Sequence, residues 1–352
     1  MAFKSILHKR PGRGKVIPTV QGQPVQAPAK AGDRIRIGTF NLHNLFYRYM
    51  PLDLKSTKRD APPPKLEDVI RHLQAAGVRK DQMPYRLLTD LERQNTAKVI
   101  TATMPDVLVV IEVEELNVLR DFNLALLDNR YPRLITVEGN DPRSIEVGVL
   151  SRYEILEVKT HQFDLPSSGE TPIFSRDCLE IVLDISAPAV HQGTARTTRT
   201  ETTKELSIFA NHFKSQIGGG ADKRRLQAEQ VRKILKNQFG SSLTEGDFIV
   251  AGDLNDDPDS DSLRLLLSGS NFWSVLRDHP TYYYGAKQHH FDYLLLSSAL
   301  RSKNPNPNVG AELRGISKSR TALPGPRFDG VGNDKSRTQA SDHGLVWVDI
   351  NV

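Results

Sequence analysis

The feature that most constrains this chain is a series of short apolar runs that end in polar residues. RIRIGTF (34–40) alternates, while DVLVVIEV (106–113) and DFIVAGD (247–253) are nearly continuous. EVGVLS (146–151), DCLEIVLDI (177–185), ELSIFANHF (205–213), FDYLLLS (291–297) and GLVWVDI (344–350) complete the series. Their length and β-branched content predict strands. Helical spacing appears at 66–77, 85–103, 116–129 and 223–239. Gly77 closes the first of these and Pro105 follows the second. Strands interleave with helices, yet several strands follow one another with only loops between. That mixture predicts an α/β protein built as a layered sandwich, not a doubly wound sheet. Residues 166–172, 193–203 and 301–340 read as loops, the last of them long and basic. No repeat of fixed period is present, and a symmetry at the level of the fold would not show in the sequence.

The strand ends carry the chemistry. TFN ends at Asn41, VVIE carries Glu112, and FANH delivers Asn211 and His212. AGDLN delivers Asp253 and Asn255, FDY opens on Asp292, and SDHG places Asp342 and His343 before the last strand. Asn, Asp and Gly also end strands simply as turn formers. Glu112 fits that plain reading badly, because a carboxylate beside VLVVI is costly to bury without a partner. Carboxylate and carboxamide oxygens are hard ligands, suited to Mg²⁺ or Mn²⁺, with Ca²⁺ within the same chemistry. Zinc suits the set less well, since no local His-x-x-x-His pair is present. A cation among Asn41, Glu112 and Asp342 could polarise a phosphoryl oxygen. His212 and His343 could act as base and acid or as oxyanion donors, and the Asn255 amide could donate to a transition-state oxygen. Together these residues suit in-line attack of water on a phosphorus ester.

Charge narrows the partners only slightly. The net charge is +5, and residues 1–33, with six Lys and Arg against one Asp, account for about all of it. That stretch reads as a disordered basic tail, either a solvated leader or a loose electrostatic contact with a polyanion such as nucleic acid. Residues 34–352 read as one domain. The single cysteine, Cys178, excludes an intrachain disulfide and reads as a buried, inert thiol in a strand. No apolar run is long enough for a membrane span, and the basic N-terminus has no apolar core of a signal peptide. The expectation is a cytoplasmic protein, or one exported by a non-standard route.

FNLHNLF (40–46), PDVLVVIEVEEL (105–116), RSIEVGVLSRY (143–153), FSRDCLEIVL (174–183), NHFKS (211–215), AGDLNDDPDS (251–260), FDYLLLSSAL (291–300) and SDH (341–343) occur in this order. The series resembles the endonuclease/exonuclease/phosphatase superfamily, which includes pancreatic deoxyribonuclease and exonuclease III. Bacterial extracellular-nuclease-like members look most similar. The resemblance implies a four-layer α/β/β/α sandwich, deoxyribonuclease I-like, with the site on one rim. It implies divalent-metal ligation by Asn41 and Glu112 with Asp342 nearby, and catalytic roles for His212, Asp253, Asn255 and His343. Asp292 would orient His343, Arg176 would grip a substrate phosphate, and Glu146 would orient His212. Asn211 and Lys214, beside His212, are candidate substrate contacts. The sequence departs from the family pattern at Ile111, where Gln often precedes the metal Glu, and in longer segments at 47–84 and 186–204.

Other residues read as follows. Asp256, Asp257 and Asp259 are turn and N-cap residues before a helix at 261–267. His289 and His290 read as a surface pair. Tyr282, Tyr283 and Tyr284 could stack on bases or line the rim, but strand alternation puts Tyr283 on the opposite face. The leading expectation is a metal-dependent phosphodiesterase hydrolysing nucleic acid, first of all a DNA endonuclease. The alternatives are a phosphatase or lipid phosphodiesterase on the same fold, and a non-catalytic nucleic-acid-binding relative. An aromatic before GDxN and a PxWxDR segment, signatures of inositol phosphatases, are absent. So is the Asn-Val-Ala-His segment of abasic-site endonucleases.

Overall fold

A computed structural model describes residues 34–45, 50–51, 85–86 and 89–351, apart from 142, 144, 168, 170, 190–199, 201, 217, 218, 270, 271 and 278. The strands are β1 (Ile35–Leu45), β2 (Met50–Pro51), β3 (Tyr85–Arg86), β4 (Val107–Val113), β5 (Arg133–Val137), β6 (Glu146–Ser151), β7 (Tyr153–Lys159), β8 (Cys178–Pro188), β9 (Glu205–His212) and β10 (Phe248–Asp253). They continue with β11 (Phe272–Ser274), β12 (Tyr282–Tyr284), β13 (Lys287–His289), β14 (Asp292–Ser297), β15 (Asn308–Glu312) and β16 (Leu345–Ile350). The helices are α1 (Asp90–Thr103), α2 (Leu116–Leu126), α3 (Ala221–Phe239), α4 (Asp261–Leu267) and α5 (Ser298–Lys303).

Two six-stranded mixed sheets form the centre, in the orders β15-β16-β1-β4-β6-β5 and β11-β14-β10-β9-β8-β7. Each has one parallel pair at its middle, β1 with β4 and β9 with β10. This is the symmetry that the sequence conceals. Alternation sorts the side chains into layers. Val107, Val109 and Ile111 of β4 meet Ile208, Ala210, Ile249, Ala251, Leu294 and Leu296 of the facing sheet. Leu108 and Val110 turn outward to Ala97, Ile100, Leu119 and Phe122 of α1 and α2. On the far side, Phe209, Phe248 and Val250 pack on Ala228, Val231 and Leu235 of α3 and Leu263 of α4. The result is the α/β/β/α order expected from the sequence.

Several boundaries shift. The second predicted helix starts at Asp90, because Thr89 caps it: Thr89 Oγ1 accepts the Glu92 N–H at 3.1 Å, and Glu92 Oε2 accepts the Thr89 N–H at 2.8 Å. Tyr85–Arg86 instead pair with Met50–Pro51 as a short ribbon. The 301–340 segment is not all loop: it supplies β15, which pairs with β16 at the edge of one sheet. β5 and β7 had no strong alternating pattern and were not expected. The helix at 66–77 and the basic tail lie outside the described residues. Among the described residues, no helix is long and apolar enough to cross a membrane.

Candidate active site

The site grows out of the apolar rows between the sheets. On β9 the inward row runs Ile208, Ala210, His212, and on β10 it runs Ile249, Ala251, Asp253. On β14 the same face carries Asp292, Leu294 and Leu296. Register sets the last members side by side: Asp253 pairs with His212 on one flank and Asp292 on the other. Three strands thus end their hydrophobic rows in one polar row at the rim. All three residues are buried, as is His343, which precedes β16 in the opposite sheet. Asn41 on β1 bridges the sheets, its Nδ2 donating to Asp253 Oδ2 at 3.0 Å. Gly252 makes the β9–β10 approach at this row workable. Its φ is +134°, and a Cβ there would stand 1.9 Å from the Asn211 carbonyl oxygen.

Glu112 reaches the rim by a bulge. Ile111 pairs with Val147 and Val113 with Glu146, so Glu112 is the extra residue, at φ +63°. The bulge also turns Val113 to the helix side while Ile111 faces the inter-sheet core. The neighbouring β1 breaks register between Asn41 and Leu45, with His43 and Asn44 at φ 50° and 64°. A left-handed non-glycine residue costs about 1–2 kcal/mol, so strain on two adjacent strands is concentrated at this rim.

A cavity of about 420 Å³ opens over these residues. His43, Glu112, Arg143, Arg176, His212, Asp253, Asn255, Asp342 and His343 line it, and Tyr282, Tyr284, Lys287, His289 and Phe291 form a further wall. His343 Nδ1 lies 2.8 Å from Asp292 Oδ2. Asp253 Oδ2 lies 3.8 Å from His343 Nε2 and 3.8 Å from His212 Nε2. Burial works against the charge on His343, but Asp292 and Asp253 outweigh it and raise its pKa to about 10. Burial, reinforced by Asp292, raises Asp253 to about 7 despite the opposing pull of His343. His212 goes the other way: burial and the nearby Arg176 and Arg143 hold it well below the usual histidine range, so it is a neutral imidazole. Asn255, at φ 53°, donates its amide N–H to Asp253 Oδ1 at 2.9 Å and its Nδ2 to the Phe213 carbonyl at 3.2 Å.

The cationic side is built on Asp141. Arg176 Nε donates to Asp141 Oδ2 at 2.7 Å and its Nη1 to the Phe213 carbonyl at 3.0 Å, while Arg143 Nε donates to Asp141 Oδ1 at 3.1 Å. One carboxylate therefore holds two guanidinium groups against the cavity. Lys214 sits close by, its pKa lowered by burial and by Arg176 and Arg143.

The oxygen donors Glu112 and Asp342 line the cavity, and the buried Asn41 is held on Asp253 with its Oδ1 accepting the His43 N–H at 2.9 Å; the set is thiol-free and suits a hard divalent cation. Glu112 Oε1 is 4.0 Å from His212 Nε2, and Asp342 Oδ1 is 3.7 Å from His43 Nδ1. Among the described residues a different trio, Asp253, Asp292 and His343, has potential ligand atoms within 4.8 Å of one another. Its Asp292–His343 hydrogen bond suits it better to proton handling.

Some sequence expectations need correction. Asn211 is not exposed to substrate: strand alternation turns it away from His212, and its buried Nδ2 donates to the Phe209 carbonyl. The Glu146 carboxylate accepts the Gly139 N–H at 2.6 Å, and His212 Nδ1 has no hydrogen-bond partner among the described residues. The helix at 261–267 is present, but its N-cap is Ser260. Asp256 instead accepts Arg224 Nε and Ser262 Oγ, each at 2.7 Å, and Asp257 holds His289 Nδ1 at 2.8 Å. His290 is buried, with Nδ1 2.6 Å from the His279 carbonyl, and His289 lines the cavity, so the two are no surface pair. Asp141, Arg143 and His43 were not singled out. The first two lie in a stretch without periodicity; Arg143 and His43 belong to segments that carry the resemblance, RSIEV and FNLHN, whereas Asp141 lies outside them.

Residues 38–343 match the endonuclease/exonuclease/phosphatase family. The chain belongs to that family. The family comprises phosphoester hydrolases, and the present chain retains its sandwich from the first sheet to the last strand. Similar solved structures include the endonuclease/exonuclease/phosphatase protein of Bacteroides vulgatus, at 14% identity and TM-score 0.51 over 91% of this chain and 99% of that one. The human Nocturnin catalytic domain with bound sulfate is 16% identical, TM-score 0.52, over 90% and 93%. Truncated Caenorhabditis elegans TDP2 is 12% identical, TM-score 0.50, over 91% and 98%. No sequence match was found among curated proteins.

Proposed function

We propose that this family member is a divalent-metal-dependent phosphodiesterase that hydrolyses nucleic acid, first of all a DNA endonuclease. The observation that carries the reading is the single row of His212, Asp253 and Asp292, closed by His343 from the other sheet. Asp253, with its pKa raised to about 7, is suited to take a proton from water near neutral pH. His343, held protonated, is suited to donate to a phosphoryl oxygen or to the departing oxygen. Asp292 fixes the orientation of the imidazolium and favours its charge. Asn255 lines the cavity, its side-chain Nδ2 on the Phe213 carbonyl, as a further polar group for the transition state. Arg176 and Arg143 offer charge to the non-bridging oxygens of a phosphodiester. Asn41, Glu112 and Asp342 would hold a divalent cation, which would supply Lewis-acid polarisation and neutralise charge on the leaving oxygen.

A substrate panel in Mg²⁺ and in Mn²⁺ tests the reading: plasmid, single-stranded DNA, RNA, sphingomyelin and inositol phosphates. Cleavage of DNA above the other members is expected. Turnover of sphingomyelin or an inositol phosphate alone would replace the nuclease reading with a lipid or phosphomonoester one. Binding of DNA without cleavage in any metal would indicate a non-catalytic relative.

A further inference from the structure

One wall of the cavity is aromatic and is not used by the chemistry above. It is the hairpin β12–β13, closed by a two-residue turn with Gly285 at φ +59°. Tyr284 pairs with Lys287 and Tyr282 with His289, so these four share one face, as alternation in the sequence requires. The opposite face sends Tyr283 into a small core with Ile316 and Leu323, which fixes the hairpin to the body. On the cavity face, the rings of Tyr282 and Phe291 stack at 5.0 Å and 20°, and those of Phe291 and His289 at 4.8 Å and 16°. Tyr282 is itself 4.7 Å from the His343 ring. A run of rings therefore leads outward from a catalytic imidazole.

Tyr284 stands at the tip of this wall and is 62% exposed. Among the described residues, the other large exposed hydrophobic side chains, such as Phe163 and Leu124, lie elsewhere; Tyr284 is the one that lines the cavity. The Arg320 guanidinium lies over its ring at 5.1 Å, which holds the ring in place while leaving most of it to solvent. Lys287, exposed and directly across the hairpin, adds a cation at the same edge. A flat aromatic surface with a neighbouring cation, beside a phosphodiester site, matches an unpaired nucleotide: base on the ring, phosphate on the ammonium.

We propose that the β12–β13 hairpin is a stacking platform for an unpaired base next to the scissile phosphate, so that the protein prefers single-stranded or frayed nucleic acid to continuous duplex. This rests on the phosphodiesterase reading. A base inside a duplex already stacks on its neighbours and cannot lie on Tyr284 without leaving them. A single-stranded base loses far less.

The test compares a single-stranded oligothymidylate, the same sequence as duplex, and bis-p-nitrophenyl phosphate, which has the diester but no base. The wild-type protein should favour the single strand over the duplex. Tyr284→Ala should lower kcat/KM on the single strand about tenfold relative to that on bis-p-nitrophenyl phosphate, mostly through KM. Tyr284→Phe should restore it, since the ring and not the hydroxyl stacks. If both diesters are cleaved but Tyr284→Ala leaves their ratio unchanged, or duplex is preferred by the wild type, the platform is refuted and the phosphodiesterase reading stands. If neither diester is cleaved in any divalent metal, the phosphodiesterase reading itself fails.

Discussion

His343 bridges two buried carboxylates: its Nδ1 is 2.8 Å from Asp292 Oδ2, and its Nε2 is 3.8 Å from Asp253 Oδ2. The arrangement separates the protonation states of neighbouring groups. His343 keeps its proton to about pH 10, while Asp253 gives up its own near 7. An active enzyme that needs Asp253 as base and His343 as acid should therefore lose rate below about pH 7 and again toward pH 10. Asp292→Asn removes the largest influence that raises the imidazole pKa. Its expected effects are an alkaline limb moved toward neutral pH and a rate at pH 7 lowered about 10²–10⁴-fold. A pH–rate profile at saturating Mg²⁺ checks both. An alkaline limb left in place would mean that His343 is not the group that titrates there.

Glu112 is held on a bulge in a left-handed conformation, a costly way to place a carboxylate unless it has a ligand to meet. Glu112→Gln keeps the shape and removes the charge. The Mg²⁺ concentration for half-maximal activity should rise at least about tenfold, and calorimetric titration of Mg²⁺ into the protein should show the same weakening. Unchanged metal affinity would remove Glu112 from the ligand set.

Asp256 gives a structural contrast within the same acidic loop. It is buried against Arg224 Nε and Ser262 Oγ, tying α3 to the start of α4. Asp256→Ala leaves a buried guanidinium without its carboxylate and should cost about 3–5 kcal/mol, read from the midpoint of urea unfolding. Asp259→Ala, at an exposed turn position, should change stability little.

Most of the fold was legible because a central strand buried on both faces is apolar almost throughout, as VLVVI and FIVA are. Edge strands are not. β5 is only half-buried along its length, and β7 runs out to exposed residues, so neither carried a clear pattern. The site was legible for a related reason. Where a row Ile249-Ala251 continues into Asp253, or Ile208-Ala210 into His212, the break in an apolar row is visible in one dimension. Asp141 and Arg143 break no row; they meet Arg176 only through the fold, and so were missed. Asn211 erred in the opposite direction. It sits at the same strand end as His212, but one residue along a strand is the other face.

Whether Asp253 and a divalent cation act together on a phosphodiester is read from conversion of supercoiled plasmid by the wild type with Mg²⁺, the wild type with EDTA, and Asp253→Asn with Mg²⁺. Nicked and then linear DNA is expected with Mg²⁺, none with EDTA, and at least about a hundredfold slower conversion by Asp253→Asn with its fold intact. Equal nicking by the wild type and by Asp253→Asn, or nicking that EDTA does not stop, would contradict that joint action.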